Sequence, residues 1–386
     1  MRGQLRFVAS ATALIAATYG LTRFGYGLFV PALSRSFDLT PAITGAISSG
    51  SFLAYCVAAA VAYRIVGSPR LTVLLAGGVA SVGSIGVALS GSAIILAVSM
   101  VIAGAGAGFA SPGLVTLVQE KVSSTAAAVR AQSVVNSGTG FGVVIAGPLA
   151  LILTDQWRAA WWIIAVINIA ATIAVLTTSK QSSAKALALQ RPTFRLADLK
   201  PLRLASAAAL LAGMSSAAVW TFGRSLVTTE GQIGDSEATI FWVLLGAAGI
   251  AGAFSGDLVT RWGLRTGWIT TAALMGLATF LIGTWPSNII AVFVGGAVFG
   301  ASYVALSGVL IAWATDSLPR NGAAGTAALF IALALGQAVG SLLIGTLLET
   351  TNPMLTFTIA AAIAAISFTP AIRGTPPTRQ TSQRAR

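Results

Sequence analysis

The chain has 386 residues, 56% of them hydrophobic and only 9% charged, and its mean hydropathy is +0.86. A soluble domain carries about 25% charged residues, so an ordinary water-soluble globule is excluded and a polytopic membrane protein is indicated. The single cysteine, Cys56, rules out an intramolecular disulfide, and the lack of histidine removes the commonest metal ligand and proton relay, so no metal or other cofactor is expected.

From the N-terminus, apolar runs of roughly 18 to 26 residues alternate with short polar breaks, each run long enough to span a bilayer as a helix. They predict helices at 7–30, 42–63, 71–90, 93–118, 131–153 and 158–178, then at 205–228, 239–260, 267–284, 289–314, 323–348 and 354–372, twelve in all. The opening M-R-G-Q-L-R-F has the basic character of a signal peptide. Its apolar run continues through Val30, too long for a cleaved segment, so it reads as the first helix. Residues 179–204 mix Lys, Arg, Ser and Gln with Pro192 and Pro201 and read as a linker holding a short amphipathic piece. The chain therefore divides into a six-helix unit at 1–178, the linker at 179–204, a second six-helix unit at 205–372, and a basic tail at 373–386 expected to be disordered.

With both termini cytoplasmic, nineteen Lys and Arg residues fall on the inner side and only Arg35 and Arg158 in outer loops. This asymmetry sets the orientation expected in a plasma (inner) membrane. It also accounts for the formal charge of +13 without a nucleic-acid partner. The two halves repeat. Arg70 and Arg265 follow the second helix of each half at an offset of 195, as do Pro112-Gly113 and Ser307-Gly308 in the fourth helices; Phe24-Gly25 and Phe222-Gly223 in the first helices are 198 apart. A near-constant offset across three helix pairs indicates duplication.

Two arginines, Arg23 and Arg224, fall inside the first apolar segment of each half. Tyr19, Arg23 and Tyr26 stand at i, i+4 and i+7 on one helical face, and Trp220 and Arg224 are again four apart. An ionisable residue in a membrane helix is costly unless it faces protein or a wet cavity, and an arginine fork suits a carboxylate, phosphate or sulfonate. The pair therefore predicts a site for a small organic anion, walled by Tyr19, Tyr26 and Trp220. At ~1.5 Å rise per residue, Arg23 lies about 24 Å and Arg224 about 28 Å along their helices; past the middle, snorkelling to the outer surface is the competing placement. Gln132, Asn136, Tyr303 and Gln337, with Ser302 and Ser307, are further polar groups that could face the solute. All ten carboxylates lie in loops or near helix ends, so mid-membrane charge reads as purely positive.

Twelve helices split six and six, a basic central stretch, and basic loops after the second and eighth helices resemble the major facilitator superfamily over 7–372. Within it, R-F-G-Y-G-L-F-V-P-A-L in the first helix is similar to the YbfB-like branch. The superfamily's loop signature, G-x-x-x-D-R-x-G-R-R, is kept in part. A-Y-R-I-V-G-S-P-R retains Arg64, Gly67 and Arg70 with Tyr63 at the aspartate position. G-D-L-V-T-R-W-G-L-R retains Arg261, Gly263 and Arg265 with Thr260 there, and Asp257 stands one turn before Arg261. The resemblance implies an all-α membrane protein of twelve transmembrane helices in two pseudo-symmetric six-helix bundles, its first and seventh helices lining a central cavity and these loops serving as gates. It implies a monomeric carrier in the lipid bilayer, not an enzyme, moving a small-molecule solute by alternating access. Exporters in the superfamily often carry a G-P motif in the fifth helix, matched in part by Gly147-Pro148, so efflux of drugs or hydrophobic metabolites is the alternative to anion transport. Pro112 and Pro148 are expected to kink the fourth and fifth helices.

Overall fold

The computed structural model describes residues 2–374 except 66, 123, 154–155, 180–199, 252–254 and 320. The amphipathic piece expected in the linker and the basic tail beyond 374 lie outside the described residues. Among the described residues every regular element is helical. Helix α1 (Arg2–Ile15) passes through a π-helical stretch (Ala16–Arg23) into α2 (Gly25–Phe37). It is followed by α3 (Pro41–Arg64), α4 (Pro69–Ala88), α5 (Ala93–Lys121), α6 (Thr125–Ile152) and α7 (Trp157–Thr178). Then α8 (Arg203–Ala217) passes through a second π-helical stretch (Ala218–Phe222) into α9 (Gly223–Thr229). The chain continues with α10 (Asp235–Ala251), α11 (Ser255–Thr284), α12 (Ile289–Ser317), α13 (Gly322–Thr350), α14 (Pro353–Ile366) and α15 (Phe368–Gly374). Eleven helical stretches among the described residues are long and apolar enough to cross a bilayer.

Local chemistry sets the helix ends. Side chains of Thr40, Ser92, Ser124, Asn288 and Asn352 accept hydrogen bonds from the first-turn N–H groups of α3, α5, α6, α12 and α14, satisfying donors that have no partner within the helix. Pro41 and Pro353 occupy the first turns, where a missing N–H costs nothing. The first membrane helix does not stop near Val30 as expected. Pro31 is accommodated inside α2, which ends only at Asp38, in the left-handed conformation (φ 51°). The predicted break between the eighth and ninth helices falls at one residue, Gly263, whose φ of 78° interrupts α11. Pro112 and Pro148 sit within α5 and α6, each of which continues as helix beyond its proline, although neither proline has an N–H to donate to the preceding turn.

Large apolar side chains such as Val57, Val82, Ile94, Ile152 and Ile290 are more than half exposed on the outside, an apolar surface that only lipid can cover. Inside, Trp161, Trp242, Trp268 and Trp313 are fully buried. Helices α3, α4, α5 and α7 pack together, as do α10, α11 and α12, while α13 packs against α8. Helices before residue 180 meet those after residue 200 through α3 on α13, α6 on α10 and α2 on α9. The α8–α13 seam is a backbone contact: a Cβ at Gly213 would overlap the Leu333 carbonyl oxygen, at Gly336 that of Leu210, and at Gly340 that of Met214. Small residues at three successive turns let these helices approach without side chains between them.

Candidate functional site

The π-helical stretch ending at Arg23 bonds five residues back instead of four, as in the Phe24 N–H donating to the Tyr19 carbonyl at 2.9 Å; the Thr22 side-chain hydroxyl separately donates to the Ala17 carbonyl at 2.8 Å. Such widened turns are enriched at functional sites. Arg23 is only 7% exposed. Its Nη2 donates to Gln337 Oε1 at 3.0 Å, and its buried Nε has no hydrogen-bond partner. Four rings surround the guanidinium, with centroids 4.0 Å (Tyr55), 4.7 Å (Phe52), 5.3 Å (Phe24) and 5.6 Å (Tyr19) from Cζ. Among the described residues no carboxylate pairs with it; the ion pair they form is elsewhere, between Arg224 and Asp235.

Arg23 lines a cavity of about 790 Å³. Two hydroxyl and amide chains edge it, one from each half of the chain. In the first, the Tyr19 hydroxyl donates to that of Tyr55 at 3.1 Å and bonds Ser111 Oγ at 2.8 Å. In the second, Gln337 Nε2 donates to the Tyr303 hydroxyl at 3.0 Å and to Ser216 Oγ at 3.4 Å. Ile15, Phe24, Val304, Phe330 and Leu333 make much of the remaining wall. The cavity extends past Asn136 and Ser307 to Thr315, Asp316 and Pro319, at the end of the molecule where α1 begins and the basic loops lie.

The opposite end is shut. Phe24 stacks on Trp220 with centroids 4.0 Å apart, and Trp220 contacts the rings of Tyr303, Phe299 and Trp242. Beyond this aromatic layer, the hydroxyls of Ser48, Thr221 and Ser341 bond one another at 2.9, 3.2 and 3.3 Å, all buried. Gly27 lies so close to the Trp220 carbonyl that a Cβ would overlap it, and Gly45 meets the Ser341 carbonyl likewise. The Ala42 N–H donates to Glu349 Oε1 at 3.0 Å.

Of the predicted solute-site residues, Arg23, Tyr19, Asn136, Tyr303 and Gln337 line the cavity. Arg224 does not, and the pairing of both arginines on one solute is corrected by its surroundings. Although 5% exposed, Arg224 donates from Nη1 to the Leu28 carbonyl at 2.6 Å and from Nη2 to Asp235 at 3.0 Å, so it belongs to the shut end and its charge is already matched. Tyr26 is there too, its hydroxyl donating to the Thr44 carbonyl at 3.2 Å. Trp220 is buried beneath Phe24 and stays out of the cavity lining. Gln132 donates to Asn136 at 3.0 Å but is not a lining residue, and Ser302 donates to carbonyls within its own helix. Arg64, Gly67, Arg261 and Arg265 are exposed, and Arg70 Nη1 donates to Ser179 Oγ at 3.5 Å. The Asp257 side chain lies outside the described ones, so its pairing with Arg261 is not assigned.

Sequence reasoning missed Tyr55 and Ser111. Ser48, Ser51 and Tyr55 recur at three- and four-residue spacing, a polar stripe on one face of an otherwise apolar helix, and that stripe was the available signal.

A family model described as "Uncharacterised MFS-type transporter YbfB" matches residues 15–371. A protein of Streptomyces lividans described as "Chloramphenicol resistance protein" is 27% identical over 380 residues, covering 91% of this chain and 93% of that protein. Among solved structures, the nucleoside transporter NupG superposes with a TM-score of 0.74 at 13% identity, covering 98% of this chain and 100% of that one. A bacterial homolog of the human lysosomal transporter Spinster, in an inward-facing and unoccupied conformation, superposes with a TM-score of 0.72 at 15% identity, covering 97% and 99%. These structural likenesses concern the fold.

Proposed function

The chain belongs to the YbfB-type family of major facilitator transporters, and on that footing we propose that it carries a small organic anion across the plasma membrane by alternating access, with Arg23 as the charge that holds it. In this reading two six-helix bundles, 1–178 and 205–372, rock about the cavity and are joined by 179–204. In the same reading the basic loops favour a cytoplasmic position for the Thr315–Asp316 end and both termini, which makes the open end of the cavity the inward one.

What carries the reading is a buried guanidinium with no carboxylate partner among the described residues. A charge removed from water is costly unless matched. The four rings offset part of this, at about 2 kcal/mol for a desolvated cation–π contact, but they leave the net charge in place. An anion with an apolar body supplies the missing charge and fits the apolar remainder of the wall. An empty cavity then resists closing around Arg23 while a filled one does not, which favours exchange or symport over free return of the empty carrier. Arg224, already matched by Asp235, acts in the outer closure.

A second reading, efflux of uncharged or amphipathic drugs, is supported by the apolar share of the cavity wall and by the Streptomyces relative. Thermal-shift titration of purified protein separates the two. Aryl carboxylates should stabilise wild type and Arg224→Ala but not Arg23→Ala; a ligand at ~100 times its Kd adds about 2.7 kcal/mol to the folded state. Chloramphenicol or cationic amphiphiles stabilising wild type and Arg23→Ala alike, with carboxylates inert, would transfer the weight to efflux.

A further inference from the structure

We infer that Gln337 sets the charge the cavity offers: it holds Arg23 in position through a neutral acceptor and thereby leaves the guanidinium's full positive charge to the solute. The inference rests on the anion reading above and assigns Gln337 a positioning role in place of direct contact with the solute.

Gln337 has no exposed surface, and both ends of its amide are engaged. A guanidinium can only donate, so the bond to Arg23 identifies the atom facing it as Oε1. The amide nitrogen then points to the Tyr303 hydroxyl and Ser216 Oγ. Around it the backbone is held firmly, because Gly336 and Gly340 on either side seat α13 against the carbonyl oxygens of Leu210 and Met214. Position 337 is thus a fixed post, and Arg23 is tied to it across the two halves of the chain.

The residue type matters more than the contact. Glutamate has nearly the shape of glutamine and could make the same bond at the same place, but its charge would cancel that of Arg23. The cavity would then offer no net charge at this point and would favour uncharged solutes. Glutamine gives the geometry without the cancellation. Specificity is a difference of affinities, and here a single amide in place of a carboxylate decides between a carboxylate-bearing solute and its uncharged analogue.

The test is a binding titration, by thermal shift or isothermal calorimetry, of benzoate, 3-phenylpropionate and 2-naphthoate against their primary amides. Wild type, Arg23→Ala, Gln337→Glu and Gln337→Met are compared. Wild type should prefer each carboxylate to its amide by at least about tenfold, the order of one charge-assisted hydrogen bond, and Gln337→Glu should reduce that preference to near unity. Gln337→Met, which keeps the volume without the acceptor, should weaken carboxylate binding about tenfold and leave amide binding unchanged. If Gln337→Glu does not yield folded protein, the methionine variant decides: equal loss for carboxylates and amides means a structural residue and overturns the assignment. A Gln337→Glu protein that keeps the wild-type preference overturns it as well, while leaving the anion reading standing. Wild type indifferent to all three carboxylates, and indistinguishable from Arg23→Ala, removes the anion reading and this assignment with it.

Discussion

Valine in place of Gly27 is expected to abolish transport and to open the end of the molecule that is shut here. The Gly27 backbone rests on the Trp220 carbonyl, and the neighbouring Leu28 carbonyl receives Arg224 Nη1. A Cβ at 27 overlaps a backbone oxygen, which cannot rotate aside as a side chain can. Either α2 and the 218–222 stretch part, or the helices distort. Overpacking of this kind costs about 1–3 kcal/mol and sometimes more, which changes a conformational ratio roughly 5- to 150-fold. The readout is the rate at which a membrane-impermeant maleimide labels a cysteine at Thr44, buried at the closed end, in a Cys56→Ser background. It should rise within that range in Gly27→Val. An unchanged rate would mean that the Gly27–Trp220 contact does not govern closure.

Leucine in place of Gly336 is expected to destabilise the protein strongly. The α8–α13 seam has backbone on both sides at three turns, so a side chain at the middle one separates the helices along their length. It also moves Gln337 and with it the partner of Arg23. The cost should reach or exceed the upper end of the about 1–3 kcal/mol for overpacking, against a total stability of about 5–15 kcal/mol for a typical domain. For a unit of this size, ~3 kcal/mol lowers the melting midpoint by roughly 6–12 °C. Gly78→Ala is the control: a Cβ there meets nothing within 4 Å, so helix propensity alone should leave it neutral or stabilise it by about 0.5–1 kcal/mol. Comparable losses in both proteins would show that the α8–α13 seam is no tighter than an ordinary helix surface.

Much of the helical layout was legible because a membrane helix must be apolar nearly throughout, and the breaks carry strong caps such as Thr40-Pro41 and Asn352-Pro353. The extension past Pro31 was not legible, since the packing that tolerates that proline comes from other parts of the chain. The place of Arg23 beside the cavity was legible because a charge in an apolar run must face protein or a wet cavity. Arg224 misled because the comparison matched residue types and not positions. It lies 201 positions after Arg23, whereas Phe222-Gly223 lies 198 after Phe24-Gly25. On the Phe-Gly register the counterpart of Arg23 is Thr221 and that of Arg224 is Tyr26, three residues or about 4.5 Å nearer the closed end. Those equivalents behave alike, Tyr26 donating to the Thr44 carbonyl and Arg224 to the Leu28 carbonyl. The partner Asp235 sits beyond a turn, on α10, where helical periodicity in the sequence could not find it.

The two π-helical stretches, 16–23 and 218–222, occupy corresponding places in the two halves and end beside the residues that line or roof the cavity. Each holds one residue more than an α-helical turn, so each stores slack. If the N–H groups of such a stretch exchange acceptors five back for acceptors four back, no backbone hydrogen bond is lost. The helix beyond it turns by about 100° and advances about 1.5 Å, the step of one residue. A bulge that migrates in this way works as a screw thread. By such a step the first membrane helix would carry the Arg23 face away from the cavity, and the seventh would carry the Trp220 face away from Phe24, without melting.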